Sequence, residues 1–302
     1  MGFSVCRRTK LKEAIDKAKA LIEALGYIRQ FRDKIVVVKL GGSLIEQDPC
    51  QRDLLTDVVF MATVGMQPIL VHGGGKHITA AMQKAGIEPE FIQGQRYTDE
   101  RTLTIAEHVL VNEINTPIVD TINDLGVHAM GLHSLSSCVL FGQQTRLAGP
   151  QGRQVDIGLV GEITGVNTHL LRILCQAGTI PVIAPLAIDR SGQKLNVNAD
   201  IVAGTVAAEL KADKLVMMSD THGIFGDLEN QQSHISRLNA QQVEQYKNDG
   251  TISGGMLPKV NACLKALQAG VGRTHIINGG YAHSLLLEIY TEKGIGTLIV
   301  DG

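Results

Sequence analysis

The sequence predicts an α/β protein, a three-layer α/β/α sandwich around a mainly parallel sheet, and three observations carry that prediction. The stretch KIVVVKLGGS at 34–43 opens with an unbroken apolar run from Ile35 to Val38, which reads as a strand buried on both faces. PILVHGGGKHI at 68–78 repeats the plan, a short apolar strand running into Gly73, Gly74 and Gly75. Beyond them, strand-like runs alternate with helical stretches to the end of the sequence, the pattern of strands joined by crossover helices. Each glycine turn follows a strand and precedes a helix, so both offer backbone N–H groups at one edge of the sheet. That edge is where open α/β sheets bind ligands.

Taken in order, residues 9–30 form one amphipathic helix. Leu11, Ala14, Ala18, Leu21, Leu25 and Ile28 recur at spacings of three and four, Ile15 and Ile22 widen the seam, and Gly26 weakens its end. This seam either packs on its own domain or pairs with the same helix of another subunit; its place ahead of the first core strand favours the second. After the first strand, 51–65 reads as a helix, 68–72 as a strand and 77–85 as a helix. GQRYTD (94–99) is a loop carrying Arg96, and 98–125 holds one or two helices with Thr98 or Asp99 as N-cap. Glycine-broken pieces over 126–165 predict hairpins beside the main sheet. Then come a helix at 167–178, a core strand in TIPVIAP (179–185), NVNAD (196–200), an alanine-rich helix to about 210 and the strand KLVMMSD (214–220). A helix near 239–248, SGGMLPKVNACLKALQAG (253–270), THIING (274–279) and GTLIV (296–300) complete the alternation. DRSGQK suggests a boundary near 190, giving a helix over 1–30 and a domain over 31–302 with lobes 31–190 and 191–302.

The composition excludes several classes. With 302 residues and 44% apolar content a full core can form, and no apolar run approaches the roughly 20 residues of a membrane helix. A net charge of −2 argues against a nucleic-acid binder. The first 34 residues are basic, nine Lys/Arg against four Asp/Glu, but Glu13, Asp16 and Glu23 interrupt any transit-peptide pattern and no apolar leader core is present. Five scattered cysteines, none spaced C-x-x-C, read as reduced structural thiols in a cytoplasmic setting.

Three motifs carry chemistry. HGGGK is not a phosphate loop of the G-x-x-x-x-G-K-[ST] type, and G-x-G-x-x-G is absent. His72 to Gly75 is similar to an esterase oxyanion stretch, but no G-x-S-x-G nucleophile accompanies it. Either glycine turn alone could be a plain strand–helix connection; two together, with Lys39 at one strand end, point to an anion site. Asn196, Asn198 and Asp200 alternate, which would put three polar side chains on one face of an extended segment and exceeds what capping a helix requires. In Gly254-Gly255-Met-Leu-Pro258-Lys259, Pro258 suits a first helical turn and sets Lys259 there against the macrodipole. The lysine is either solvated or shares one anion with the helix end. Two lysines, glycine turns and one carboxylate fit phosphoryl transfer, which is mainly positioning and charge neutralisation.

These stretches together resemble the amino-acid kinase family and, within it, the arginine-sensitive acetylglutamate kinases that carry an N-terminal helix. KLGGS, VHGGG, GQRYTD, DIGLVGEI (156–163), LNVNAD with IVAGTVAAEL (195–210), SGGMLPKVNACLKAL and HSLLLEIYTEKGIGTLI (283–299) occur in family order over 34–300. KLGG is shared with aspartate, carbamate, uridylate and glutamate 5-kinases; NVNAD, the RYTD loop and GGM-x-x-K-V are narrower. The resemblance implies ATP-dependent phosphorylation of the side-chain carboxylate of N-acetyl-L-glutamate, an early step of arginine biosynthesis. It implies that Lys39 and Lys259 stabilise the transferring group, Asp200 orients them, and Gly41, Gly42 and Gly74 donate N–H groups to phosphate oxygens. Gly74, Gly75, Arg96, Asn196 and Asn198 would hold the acetylated substrate, Arg96 as a fork on its α-carboxylate. Ser219, Asp220, Gly223, Ile224, Gly254, Gly255 and Met256 would contact ATP, with Mg²⁺ held mainly by the phosphates and no protein ligand.

ALIEALGYIRQFRDK (20–34) and the 283–297 stretch resemble the helix and the inhibitor site of arginine-inhibited hexamers, trimers of dimers that can also bind a nitrogen-signalling protein. Two departures stand out: GLHSLSSCVLFG (131–142) replaces a GKDG-like turn, and His222 stands where a proline is usual. The competing expectations are another carboxylate or carbamate kinase of this fold, and a catalytically silent arginine or nucleotide sensor.

Overall fold

The structure, a computed structural model of the chain, describes residues 2–44, 48–149, 153–227, 230–290 and 294–302. Helix α1 (Gly2–Phe31) leads into strand β1 (Ile35–Leu40), followed by α2 (Asp48–Thr63), β2 (Gln67–His72) and α3 (Gly75–Lys84). A small hairpin, β3 (Phe91–Ile92) and β4 (Gln95–Arg96), precedes α4 (Glu100–His108), a π-helical stretch (Val109–Asn115) and α5 (Thr116–Asp124). Next come β5 (Ala129–Leu132), β6 (Leu140–Ala148), β7 (Gln154–Val166), α6 (Thr168–Gln176), β8 (Ile180–Ile183), β9 (Leu186–Ile188) and β10 (Lys194–Asn196). Then follow α7 (Ala199–Leu210), β11 (Lys214–Ser219), β12 (Ile224–Phe225), β13 (His234–Ile235), β14 (Arg237–Asn239) and α8 (Ala240–Asn248). The last elements are α9 (Met256–Gln268), β15 (Arg273–Asn278), α10 (Ser284–Ile289) and β16 (Thr297–Val300).

Eight strands form the main sheet in the order β14-β16-β15-β11-β1-β2-β8-β5. The six from β15 to β5 run parallel, while β16 pairs antiparallel with β15 and carries β14 alongside. Every residue of β1 is buried because both sheet faces are covered. Val36, Val38 and Leu40 enter one core with Leu55, Val58, Ile114 and Ile118 from α2 and the α4–α5 run. Ile35 and Val37 enter the other, with Val202 and Val206 of α7 and Val260 and Cys263 of α9. By the same alternation Lys39 faces the α7 side at the strand's C-terminal end.

One expectation fails at 126–165. The piece at 129–132 is not part of a hairpin but the edge strand of the main sheet, parallel to β8 with Gly131 opposite Val182. A helical crossover delivers the chain to it, and a crossover returns a strand in parallel sense. The remaining pieces, β6 and β7, do form a long antiparallel hairpin, which closes with β9 and β10 into a separate four-stranded unit; its tip at 150–152 lies outside the described residues.

The apolar seam of α1 finds little cover on this chain. Leu11, Ile15, Leu21, Ile22 and Leu25 are exposed, Leu21 and Ile22 by 71% and 72%, while the Ala14 side chain lies outside the description. Among the described side chains of α1 the last turns dock: Tyr27 and Phe31 meet Tyr290 edge-on, and the Lys214 ammonium sits 4.1 Å over the Phe31 ring. Cys175 and Cys263 are buried, and burial pushes both thiols up to about 12, consistent with structural roles.

Candidate active site

The two glycine turns lie side by side. The Gly73 N–H donates to the Leu40 carbonyl at 2.9 Å, extending the β1–β2 ladder into the turns. A β-carbon on Gly41 would stand 2.9 Å from the Met218 carbonyl of β11, and one on Gly74 would stand 2.6 Å from Cδ2 of Leu110. Close approach of backbone requires glycine at 41, while at 74 a side chain would displace the buried ends of Leu110 and Ile114. Gly42, Gly73, Gly74 and Gly75 line a cavity of about 240 Å³ together with Lys39 and Asp200. Gly41 is not on that wall; its place is against β11.

Three charged residues meet where the sheet ends. Lys39 Nζ lies 2.8 Å from Oδ1 of Asp200, and Lys259 Nζ lies 3.2 Å from Oδ2. Asp200 stands in the first turn of α7, where its charge complements the helix N-terminus. A close helix crossing brings Lys259 within reach. Gly204, one turn beyond Asp200, packs so tightly on Ala262 of α9 that a β-carbon there would come within 2.9 Å of the Ala262 β-carbon. Burial alone would raise the Asp200 carboxyl, but the two lysines and their hydrogen bonds hold it below the usual carboxylate range. Burial pulls the Lys39 ammonium down from its ordinary value, against the opposing pull of Asp200.

NVNAD does not run as an extended segment. Asn196 ends β10, Asn198 caps α7 by accepting from the N–H groups of Asp200 (2.8 Å) and Ile201 (3.3 Å), and Asp200 is already helical. The capping role is real, and it costs nothing in convergence, for all three line the same cavity.

Arg96 lines this cavity too, 8% exposed. Its Nη2 donates to the Gly75 carbonyl (2.9 Å) and Thr79 Oγ1 (2.7 Å), its Nη1 to Met82 Sδ (3.2 Å), and its plane lies over Phe91 at 4.7 Å. Asp99, not Thr98, is the cap of α4. Buried Thr98 instead donates to the Arg96 carbonyl (3.0 Å) and accepts from Asn196 Nδ2 (3.2 Å), tying Arg96 and Asn196 together.

Ser219, Asp220, Gly223, Ile224, Gly255, Met256 and Lys259 line a second cavity of about 290 Å³, while Gly254 borders an adjoining groove. Gly223 has φ +97°, and a β-carbon there would stand 2.6 Å from Thr297 Oγ1, which accepts the Ile224 N–H at 2.8 Å. His222 turns away to meet Tyr281, with Nδ1 3.1 Å from the phenol oxygen. Asp200 thus faces one cavity and Lys259 the other, so the charge triad bridges them.

Leu110 and Asn115 belong to no motif in the sequence, while His72 figures there only as the first residue of the HGGG stretch and Thr98 only as a candidate cap. Pro117, inside a helical run, was the available signal that the helix there is irregular.

Residues 34–278 match the model of the amino acid kinase family. The acetylglutamate kinase of Symbiobacterium thermophilum is 43% identical over 290 residues, covering 96% of this chain and 99% of that protein. The N-acetylglutamate synthase of Neisseria gonorrhoeae, solved with coenzyme A and N-acetyl-glutamate, superposes with TM-score 0.82 at 25% identity over 94% of this chain; the chain spans only 63% of that protein. The same synthase solved with coenzyme A and L-arginine gives 0.78, with 94% and 65% covered. The family match takes in both glycine turns, Asp200 and Lys259, and on it the chain belongs to the amino acid kinase family.

Proposed function

We propose that the chain transfers the γ-phosphoryl group of ATP to the side-chain carboxylate of N-acetyl-L-glutamate, giving the acyl phosphate. The bridging of two cavities by Lys39, Asp200 and Lys259 is the observation that carries this reading. The acid enters the cavity of Arg96, Asn196 and Asn198, with Ile78, Leu110 and Val160 as apolar wall for the acetyl methyl. ATP lies along the second cavity, its γ-phosphate between the lysines. A carboxylate nucleophile needs no base, so Asp200 serves to aim the lysines. Lys39 neutralises charge on the acid's side, Lys259 on the nucleotide's side, and the N–H groups of Gly42 and Gly74 receive equatorial phosphoryl oxygens. Both Asp200 oxygens are taken by ammonium groups, so a magnesium ion arriving with ATP is carried by the phosphates. Such an ion would supply countercharge to the phosphates during transfer.

Hydroxylamine trapping with MgATP and N-acetylglutamate, glutamate and aspartate in parallel tests the reading. Hydroxamate from acetylglutamate alone supports it. Product from another acid makes the chain a different carboxylate kinase, and no product favours a silent sensor.

The finer reading is a cytoplasmic enzyme of arginine biosynthesis, a hexamer built as a trimer of dimers, inhibited by arginine and open to a nitrogen-signalling protein. The exposed α1 seam supports self-pairing. The resemblance of the 283–297 stretch to the inhibitor site of arginine-inhibited members supports an arginine site; buried Glu288 orders that stretch, with Oε1 on His275 Nδ1 (2.6 Å) and Oε2 on the N–H groups of Ile295 and Gly296. Residues 291–293 of it lie outside the described residues. The lobes divide near 190, with β10 paired back onto the first lobe. Among the described residues no helix is long and apolar enough to cross a membrane.

A further inference from the structure

His72 and Asn115 are buried, polar and outside every role above. The His72 ring ends β2 with Nδ1 3.1 Å from the Gly73 carbonyl oxygen and Nε2 3.0 Å from Asn115 Nδ2. These contacts leave one arrangement of protons. A carbonyl oxygen only accepts, so Nδ1 carries the hydrogen, and Nε2 accepts from the Asn115 amide. The other amide hydrogen goes to the Val182 carbonyl at 3.0 Å, which fixes Asn115 from the far side. Burial pushes the ring's pKa down to about 4, so the neutral form persists at working pH.

The Gly73 carbonyl shares a peptide plane with the Gly74 N–H, and a trans peptide points the two in opposite directions. Holding the oxygen against His72 aims the Gly74 N–H the other way. Among the described residues no backbone acceptor takes that N–H, and Gly74 lies on the cavity wall with Lys39 and Asp200.

The same stretch of helix supports this peptide from both sides. Leu110 Cδ2 and Ile114 Cδ1 would lie 2.6 and 2.9 Å from a Gly74 β-carbon, and Asn115 holds the His72 ring. All three residues belong to Val109–Asn115, the π-helical stretch, where the Thr116 N–H donates to the Val111 carbonyl five residues back. Pairing at that interval brings residues five apart, Leu110 and Asn115, toward one side. Pro117 supplies the cause, since it has no N–H for an α-type bond to Glu113 and its ring crowds that carbonyl.

We propose that His72 is a positioning residue for phosphoryl transfer: its Nδ1–H, set by Asn115, locks the Gly73–Gly74 peptide so that the Gly74 N–H points at the transferred group. The proposal rests on the acyl-phosphate reading above. Two variants separate it from a packing role. His72→Leu keeps bulk and removes the donor, whereas His72→Asn returns a nitrogen donor near the position of Nδ1. With MgATP and acetylglutamate, His72→Leu is expected to lose about 10-fold or more in kcat, with KM for the acid within about threefold of the parent. His72→Asn should recover most of that loss even where its melting temperature stays as low as that of His72→Leu. Two variants falling together, or a loss confined to KM, overturns the proposal.

Neutron diffraction from deuterium-exchanged crystals of the unaltered chain gives a reading that needs no variant to fold. Deuterium on Nδ1 of His72 and none on Nε2 is expected; the reverse overturns the lock. If the unaltered chain forms no acyl phosphate, the functional reading fails and takes the aim at a phosphoryl group with it. The deuterium position still decides whether the peptide is locked.

Discussion

Replacing Asp200 by Asn tests the centre of the mechanism while nearly preserving shape. The carboxylate holds Lys39 at 2.8 Å and Lys259 at 3.2 Å, and both Lys39 and Asp200 are 6% exposed. At an effective dielectric near 20, one such pair at about 3 Å carries roughly 5 kcal/mol of attraction. Much of that offsets desolvation, so the realised cost of removing one partner of a buried pair is about 3–5 kcal/mol. Lys39 can escape the cost by releasing its proton, and burial already disfavours its charged form. The substitution therefore weakens one lysine's charge and frees the other's aim. Loss of one transition-state donor costs about 10²–10³ in kcat, and Asp200→Asn should fall by at least that. KM for acetylglutamate should move little, because Arg96 and Asn196 are untouched. Hydroxamate formation gives both constants. The pH dependence of stability supplies an independent sign. The folded-state Asp200 pKa is depressed, so its stabilisation is present above the unfolded carboxylate value and is lost as pH falls through the folded one. Asp200→Asn lacks that acid-side loss, so its melting temperature should be flatter in acid than the parent's. A kcat within about twofold of the parent would refute the reasoning.

Lys259→Ala should lower kcat by roughly 10²–10³-fold, read in the same trapping assay; a value within about twofold removes Lys259 from the mechanism. Arg96→Ala should chiefly raise KM for acetylglutamate, as loss of uniform binding does, and a fall in kcat alone would refute the carboxylate clamp. In kcat/KM the alkaline limb should set in below the ordinary lysine value of 10.5, because the Lys39 ammonium is depressed and the active form is protonated. Deleting residues 1–30 should reduce the assembly's size on a sizing column and weaken arginine inhibition while sparing activity; an unchanged elution volume would dispose of pairing through α1.

The parts legible in the sequence were those whose physics is local. Ile35 to Val38 announces a doubly buried strand because no position in it tolerates water, and alternation puts Lys39 on the face of Ile35 and Val37, which only the fold identifies as the α7 side. Asp200 stands out because three alternating polar side chains exceed what a cap requires, and Lys259 because a cation in a first helical turn opposes the macrodipole. What brings them together was not legible. The contact depends on Gly204 meeting Ala262 across two helices, and either residue alone reads as ordinary helix composition. The same holds for α10, which has six residues and no pattern of its own. Its start is held by Asp57 of α2, whose buried carboxylate accepts from His283 Nδ1 at 2.6 Å across 226 positions of chain.

The NVNAD expectation erred in an instructive direction. Alternation predicts an extended segment, yet convergence comes from a strand end, a cap and a helical turn, because Asn198 turns the chain by accepting from the Asp200 and Ile201 N–H groups. Thr98 and Asn115 mark a deeper limit. Each is a small polar residue whose side chain reaches the chain far away, Thr98 to Asn196 and Asn115 to His72 and Val182. Their hydrogen bonds are fixed by topology: Thr98 docks only because Gly158, at φ +74°, leaves room for its carbonyl beside β7. Charged residues and glycine turns therefore reveal where the chemistry sits, while the groups that hold its geometry become visible only once the crossings are made. That division places the kinetic consequence of His72 and Asn115 in kcat rather than in substrate affinity, since neither lines the cavity and both act on the backbone that does.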